Sequence, residues 1–262
     1  MSLSNSENSS KAIICPKCKQ ELPEDNMLGV YMEKEYTTSE HIVAFIDILG
    51  ASEKIKQSSK ESLNTVHFVY EESLRKAEII YSAEEVMGLK PIIKIWSDNI
   101  VVAVPVIIGN YLNALFSILV LSTVIQSEFL AHNYLVRGGI SVGDFFSDDV
   151  MTWGNALVNS YKLENGVAIY PRIVIHSTVL EKANIIDKDI KRTKRDFDGM
   201  LYVDYLQGSD FKTNDGFVDL ISCFLKSCNE QLELHSNNEK LKQKLYWHQR
   251  YLSEKLFLYC ND

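Results

Sequence analysis

The sequence predicts an α+β protein: a ferredoxin-like βαββαβ core with helices appended at its C-terminal end. Three observations predict it. Residues 41–50 form an apolar run that closes on one acid, Asp47, and then Gly50. Strand-like runs recur at 92–96, 100–106, 135–146, 171–176 and 201–206, with stretches of helical period between them. From residue 216 onward the pattern is helical twice over, at 217–234 and 238–259.

At 262 residues the chain can bury the core of one domain with small additions at either end. Its net charge of -8 argues against non-specific nucleic-acid binding, which needs a basic surface. A nucleotide substrate stays open, because one local basic pocket and a metal can hold a triphosphate. Residues 1–11 are rich in Ser and Asn, are expected to be disordered, and lack the apolar stretch of a signal peptide. Five cysteines with no secretory signal point to a reducing cytoplasm and free thiols.

In chain order, Cys15 and Cys18 form a C-x-x-C that matches half of a zinc ribbon. No second pair follows. Cys223 and Cys228 read as core or surface thiols, so a zinc ion here would need ligands from elsewhere, such as a second copy. Residues 23–26 read as a linker. Residues 41–50 read as a buried strand carrying Asp47 to its end, and Gly50 opens a turn. Alone, Asp47 is either half of a metal site or a cap for a helix starting near Ser52. Residues 52–83 form one amphipathic helix, with a possible break at 58–59 and a stripe of Leu63, Val66, Val69, Leu74, Ala77 and Ile80. A hairpin follows, turning at Ser97, Asp98 and Asn99. The apolar stretch 111–130 carries Asn113, Gln126 and Glu128 and reads as a buried helix rather than a membrane span.

Residues 135–146 are strand-like, with glycines that permit close backbone approach. A turn at 147–149 and a short returning strand at 150–153 follow. Residues 154–164 form a helix that stops before Asn165 and Gly166. Residues 171–176 and 201–206 close the sheet.

In a βαββαβ sheet the first and third strands lie side by side at the centre. Asp47 and Asp98 can therefore meet at one edge. Two such carboxylates repel unless a cation joins them. A pair of divalent metals removes that repulsion and can clamp a phosphate, which is the chemistry of phosphoryl and nucleotidyl transfer.

Four stretches together resemble class III nucleotide cyclases. FIDILG (45–50) resembles that family's first metal motif. KIWSD (94–98) is similar to its lysine-to-aspartate element, which carries the second metal ligand. RGGI (137–140) with Gly143 resembles the strand whose arginine contacts the polyphosphate. WGN (153–155) resembles the start of the catalytic helix. They occur in the family's order across residues 38–206. There are departures. Met151 stands where purine cyclases carry an acid that helps select adenine. Counted from Trp153, the family's asparagine falls on Val158 and its arginine on Lys162, with Asn159 one residue off. Ala51 replaces the usual aromatic.

These departures, with GNALVNSYKLE and PRIVI, make the chain more similar to the compact pyrimidine cyclases of bacterial Pycsar anti-phage defence. The resemblance implies conversion of UTP to 3′,5′-cyclic UMP and diphosphate, in response to phage, with a separate effector that senses the cyclic nucleotide. CTP as substrate, a purine cyclase, and a non-catalytic nucleotide sensor are the alternatives. It implies that Asp47, Asp98 and the Ile48 carbonyl hold two divalent cations, Mn2+ or Mg2+. Arg137 would clamp phosphate, its other reading being a surface ion pair. Lys94 would reach the base or phosphate, and Phe45 would border the nucleotide. Asn159 or Lys162 would stabilise the pentavalent phosphorus, unless that face is merely solvated. It further implies a cytoplasmic homodimer with sites shared between subunits, the hairpin 140–154 reaching across, and no membrane or stable nucleic-acid partner. The domain expectation is a flexible segment 1–36 with the C-x-x-C, a cyclase domain 37–210 and a helical extension 211–262. His41, His67 and His132 are expected to be structural, Tyr161 core or interface, and Trp247 and Tyr251 packing or dimer surface. Arg172 is left open between strand structure and phosphate contact.

Overall fold

The computed structural model describes residues 35–51, 55, 59–83, 89–185, 190–207 and 215–261. The chain divides into units Met1–Thr37 and Thr38–Asp262, and every element below belongs to the second. The possible zinc ligands Cys15 and Cys18, the linker at 23–26 and the helix start at Ser52 lie outside the described residues.

The strand β1 (Ser39–Ile48) is central because its residues alternate between two apolar layers. Ile42, Ala44, Ile46 and Ile48 face the main core, whereas Val43 and Phe45 face a smaller one with Val101, Ala103, Phe145 and Ala156. Around β1 lie β2 (Ile92–Trp96), β3 (Asn99–Pro105) and β4 (Val136–Ser147). Their order is β2-β3-β1-β4, all antiparallel, which is the ferredoxin-like arrangement expected. The sheet continues through β6 (Ile173–Ile175), parallel to β4, then β8 (Leu201–Val203) and β7 (Thr193–Arg195). The two-residue strand β5 (Thr152–Trp153) returns on β4.

The helices α1 (Lys60–Ala83) and α2 (Tyr111–Ala131) cover the main core. Ser59 caps α1 by accepting a hydrogen bond from the Ser62 N–H at 3.2 Å. The inward stripe of α1 is Val66, Val69, Tyr70, Ser73 and Ala77; the predicted stripe members Leu63 and Leu74 are exposed. Tyr70 displaces them because its hydroxyl must reach the Ser97 carbonyl, 3.2 Å away. Among the described residues α2 alone is long and apolar enough to cross a membrane, and most of it is buried in the core.

The helix α3 (Asn155–Gly166) packs on the smaller layer. It runs to Gly166, past the expected stop. The short helix α4 (Ser177–Ala183) and the strand β7 escape the sequence pattern. The Thr-Lys-Arg composition of β7 suits a sheet edge, where charge discourages further pairing.

The helices α5 (Asp215–Leu234) and α6 (Glu239–Asn261) form a hairpin docked on the β7–β8 end. Polar groups fix α6. Buried Asp196 pairs with buried Arg172 and accepts from Trp247 Nε1 at 2.6 Å and Arg250 Nη2 at 2.7 Å. Arg172 is thus a structural ion-pair residue, bonded also to Asp198. Buried Asp204 accepts from the Tyr251 hydroxyl and Lys255 Nζ, both at 2.6 Å, and Tyr205 bonds His248 at 2.9 Å. Trp247 and Tyr251 stack at 5.6 Å, which bears out their packing role. Removing Asp196 leaves buried Arg172 with the part-exposed Asp198 alone and takes their acceptor from Trp247 and Arg250. We therefore expect Asp196→Ala to destabilise the protein by roughly 3 kcal/mol, measured by urea unfolding; an unchanged midpoint would contradict this role.

Candidate active site at the end of the central strand

The backbone ladder assembles the site. Asp47 pairs in register with Asn99 of β3 and with Arg137 of β4. Beyond Asp47, the Ile48 N–H donates to the Asp98 carbonyl at 3.1 Å. This bond ties the end of β1 to the β2–β3 turn, so the two acid-bearing residues cannot drift apart independently. The turn is two residues, Ser97 and Asp98, since Asn99 already belongs to β3. Ser97 adopts φ 58°, a left-handed conformation that a non-glycine residue adopts at a cost. The Tyr70 hydroxyl holds that strained turn from α1. Gly50, at φ +78°, turns the chain away after β1.

Arg137 is the hub of the charges. Its Nε donates to Asp47 Oδ2 at 3.1 Å. Its Nη2 lies 2.7 Å from Glu164 Oε1. That approach is off the hydrogen-bonding direction, so the buried Oε1 has no hydrogen-bond partner. Glu164 reaches this point because α3 crosses β4 directly over Gly139. A Cβ there would lie 2.4 Å from the Ser160 carbonyl and 2.8 Å from Leu163 Cβ.

Burial raises the Asp47 pKa, Arg137 opposes that rise, and the charge of Asp98 adds to it. Burial lifts Glu164 to about 7, with Asp47 and Asp98 adding and Arg137 and Lys244 opposing. Burial and the nearby Asp98 and Asp47 also raise the Tyr70 hydroxyl. Lys244 of α6 belongs to the same field: burial lowers its pKa, as does Arg137, while Asp47 and Glu164 raise it.

Could the residues present hold divalent cations? Among the described residues no cluster of three or more His, Cys, Asp or Glu side chains is placed to bind a metal. Two carboxylates and a main-chain carbonyl are nevertheless hard oxygen donors, suited to magnesium or manganese completed by substrate phosphates. Burial and Asp98 raise the Asp47 carboxyl even with Arg137 beside it, which marks a place where added positive charge is favourable. The residues fit.

The other candidates fall into separate places. Lys94 shares the sheet face of Phe45, but its Nζ donates to the Asp148 carbonyl at 2.9 Å. Asp148 also accepts from the Met151 N–H at 2.8 Å, so Lys94 and Met151 meet at one turn. Phe45 packs edge-on against Tyr161 at 5.3 Å. Asn159 and Lys162 are exposed on α3. The structure brings together Asp47, Ile48, Asp98 and Arg137, holds Lys94 at the Asp148 turn, and exposes Asn159 and Lys162 on α3.

Glu164 and Lys244 are the residues that pattern reasoning missed. Each carries a signal. Glu164 continues the inward stripe Ala156, Ser160, Leu163, and Lys244 sits between Leu241, Leu245 and His248. A charge at a core-facing helical position asks for a partner.

No family model and no curated protein matches the chain. Among solved structures it is similar to the guanylyl cyclase Cya2, at 14% identity and TM-score 0.38, covering 63% of this chain and 91% of that one. The catalytic core of a rhodopsin-guanylyl cyclase with converted specificity, in complex with ATPalphaS, gives 15% identity, TM-score 0.42 and coverage of 64% and 96%. An adenylate/guanylate cyclase/hydrolase from Silicibacter pomeroyi gives the same four values. Likenesses at these scores carry no functional assignment.

Glu164 has a measurable consequence. Its folded pKa of about 7 exceeds the ordinary 4.5. The folded state then binds more protons, so its stability falls as pH rises from about 4.5 to about 7. Glu164→Gln keeps the neutral shape. It should gain up to about 3 kcal/mol over the native chain at pH 8, and almost nothing at pH 4.5. Urea unfolding at both values checks this; a difference that is the same at both contradicts it.

Proposed function

We propose that the protein is a nucleotide cyclase that converts UTP to 3′,5′-cyclic UMP and diphosphate. The observation that carries this reading is the Ile48–Asp98 bond, which keeps Asp47 and Asp98 at one end of the sheet beside Arg137. In the reaction the ribose 3′-oxygen bonds to the α-phosphorus, the bond to the β-phosphate oxygen breaks, diphosphate leaves, and the hydroxyl proton passes to water. Asp47, Asp98 and the Ile48 carbonyl would hold two divalent cations. When bound, these lower the pKa of the 3′-hydroxyl and neutralise charge on the departing phosphates.

Arg137 exchanges its contact with Asp47 for phosphate oxygens, whose geometry its planar fork matches. Lys94 and Met151, joined through Asp148, suit the base end. Lys94 donates, and the Met151 side chain offers no carboxylate to an adenine amino group. This disfavours adenine, and a pyrimidine, UTP first, is taken on the resemblance to the Pycsar cyclases. The same resemblance supports a cytoplasmic role in anti-phage defence with a separate cyclic-nucleotide effector.

A homodimer completes the site in this reading. Val150, Trp153, Val158 and Tyr161 are exposed beside α3 and the β4–β5 hairpin, a patch that suits a second copy. There Asn159 or Lys162 of one subunit would approach the acids of the other. The domain organisation we propose is the segment 1–36, a cyclase domain at 37–210 and a helical extension at 211–262.

Incubation with each of the four nucleoside triphosphates and manganese should yield cyclic UMP as the main product. Asp98→Ala should drop turnover to background with an unchanged melting temperature. No cyclic product from any of the four, or full activity in Asp98→Ala, would refute the reading. Trp153→Glu should give an inactive monomer by light scattering; an active monomer would refute the shared site.

A further inference from the structure

A cavity opens beyond the end of β1 and is built largely by the C-terminal hairpin. It holds about 580 Å3. Leu49 and Gly50, the second and third residues after Asp47, form one wall. Three residues span at most about 10 Å, so the cavity lies close to the acids. Gln231 of α5, Lys240 and Lys244 of α6, and Asn133 line it as well.

The charge of this lining is unlike that of the whole chain. The protein has a net charge of -8, yet no Asp or Glu is among the described residues that line the cavity. Lys240 and Lys244 are four residues apart on one helix and so present their ammonium groups on the same side. Lys240 is exposed and Lys244 half-buried. Among the described residues no carboxylate lies within ion-pair distance of Lys244, although Asp47 and Glu164 act on it from further off. A half-buried ammonium without an ion pair is costly, and an incoming anion removes that cost. Leu245, buried on the same helix, and the Tyr205–His248 bond hold Lys244 in position.

We propose that this cavity seats the diphosphate end of the nucleoside triphosphate, with Lys244 and Lys240 supplying the countercharge. The identity of the nucleotide rests on the cyclase reading; the anion site does not. The helical extension would thereby be part of the substrate site. Lys244 would hold the β- and γ-phosphates while Arg137 and the acids attend to the α-phosphate, and the diphosphate would leave through the same opening.

The test uses the full chain without divalent cations, so that no turnover occurs. Sodium pyrophosphate is titrated by calorimetry into the native protein, Lys244→Met and Lys240→Met. Each substitution should weaken binding about tenfold or more, and UTP should displace pyrophosphate competitively. Three results would overturn the proposal: no binding to the native chain, equal affinity in a Lys244→Met protein of native melting temperature, or simultaneous binding of UTP and pyrophosphate. Should Lys244→Met not fold, the exposed Lys240→Met decides on its own. Absence of cyclase activity would refute the cyclase reading and leave the outcome of these titrations unchanged.

Discussion

A carboxylate held in a half-dry strand end beside a second acid is the constraint around which this structure is arranged. Asp47 cannot ionise there at ordinary cost, because burial and Asp98 both oppose its charge. Arg137 answers part of that on the neighbouring strand, in register. Glu164 then brings a second carboxyl group to the same guanidinium, and Lys244 adds a second cation from the far end of the chain. Three carboxyl groups share two bases, and burial holds Glu164 up to about 7. A buried carboxyl that titrates near neutrality is ill suited to a purely structural network. It suits a place where metal cations and a polyphosphate arrive together, each neutralising the other.

The C-terminal hairpin has two consequences at once. Its docking rests on the buried ion and hydrogen-bond network of Asp196 and Asp204, which lies under β7 and β8. The same docking sets the angle at which the first turns of α6 approach Gly50. A charged side chain on the inward stripe of α6 is tolerated because that stripe ends in a cavity and not in apolar core. Stability and the proposed diphosphate seat are therefore properties of one helix, separated along its length.

Much of the core was legible in the sequence because period-two apolar runs and their turn residues are local signals. The order of the first four strands, the place of Asp47 and Asp98, and the close approach at the RGGI glycines all follow from such signals. The rest depends on long-range packing. Leu63 and Leu74 share the helical period of α1, but Tyr70 is drawn inward by the carbonyl of Ser97 and rotates the helix away from them. The β7 strand is too polar to announce itself, and α4 is too short. Glu164 and Lys244 show in the sequence only as charges at core-facing helical positions, because their partners lie on other elements. Only the crossing of α3 over Gly139 and the return of α6 bring them to Arg137.

The central claim is that Asp47 and Asp98 together hold divalent cations on a nucleoside triphosphate. Manganese binding in the presence of 3′-deoxy-UTP, which lacks the attacking hydroxyl, tests it most directly by electron paramagnetic resonance. The account predicts two tightly bound manganese ions per site in the native protein and loss of tight binding in Asp98→Ala. Equal manganese stoichiometry and affinity in both proteins would contradict it.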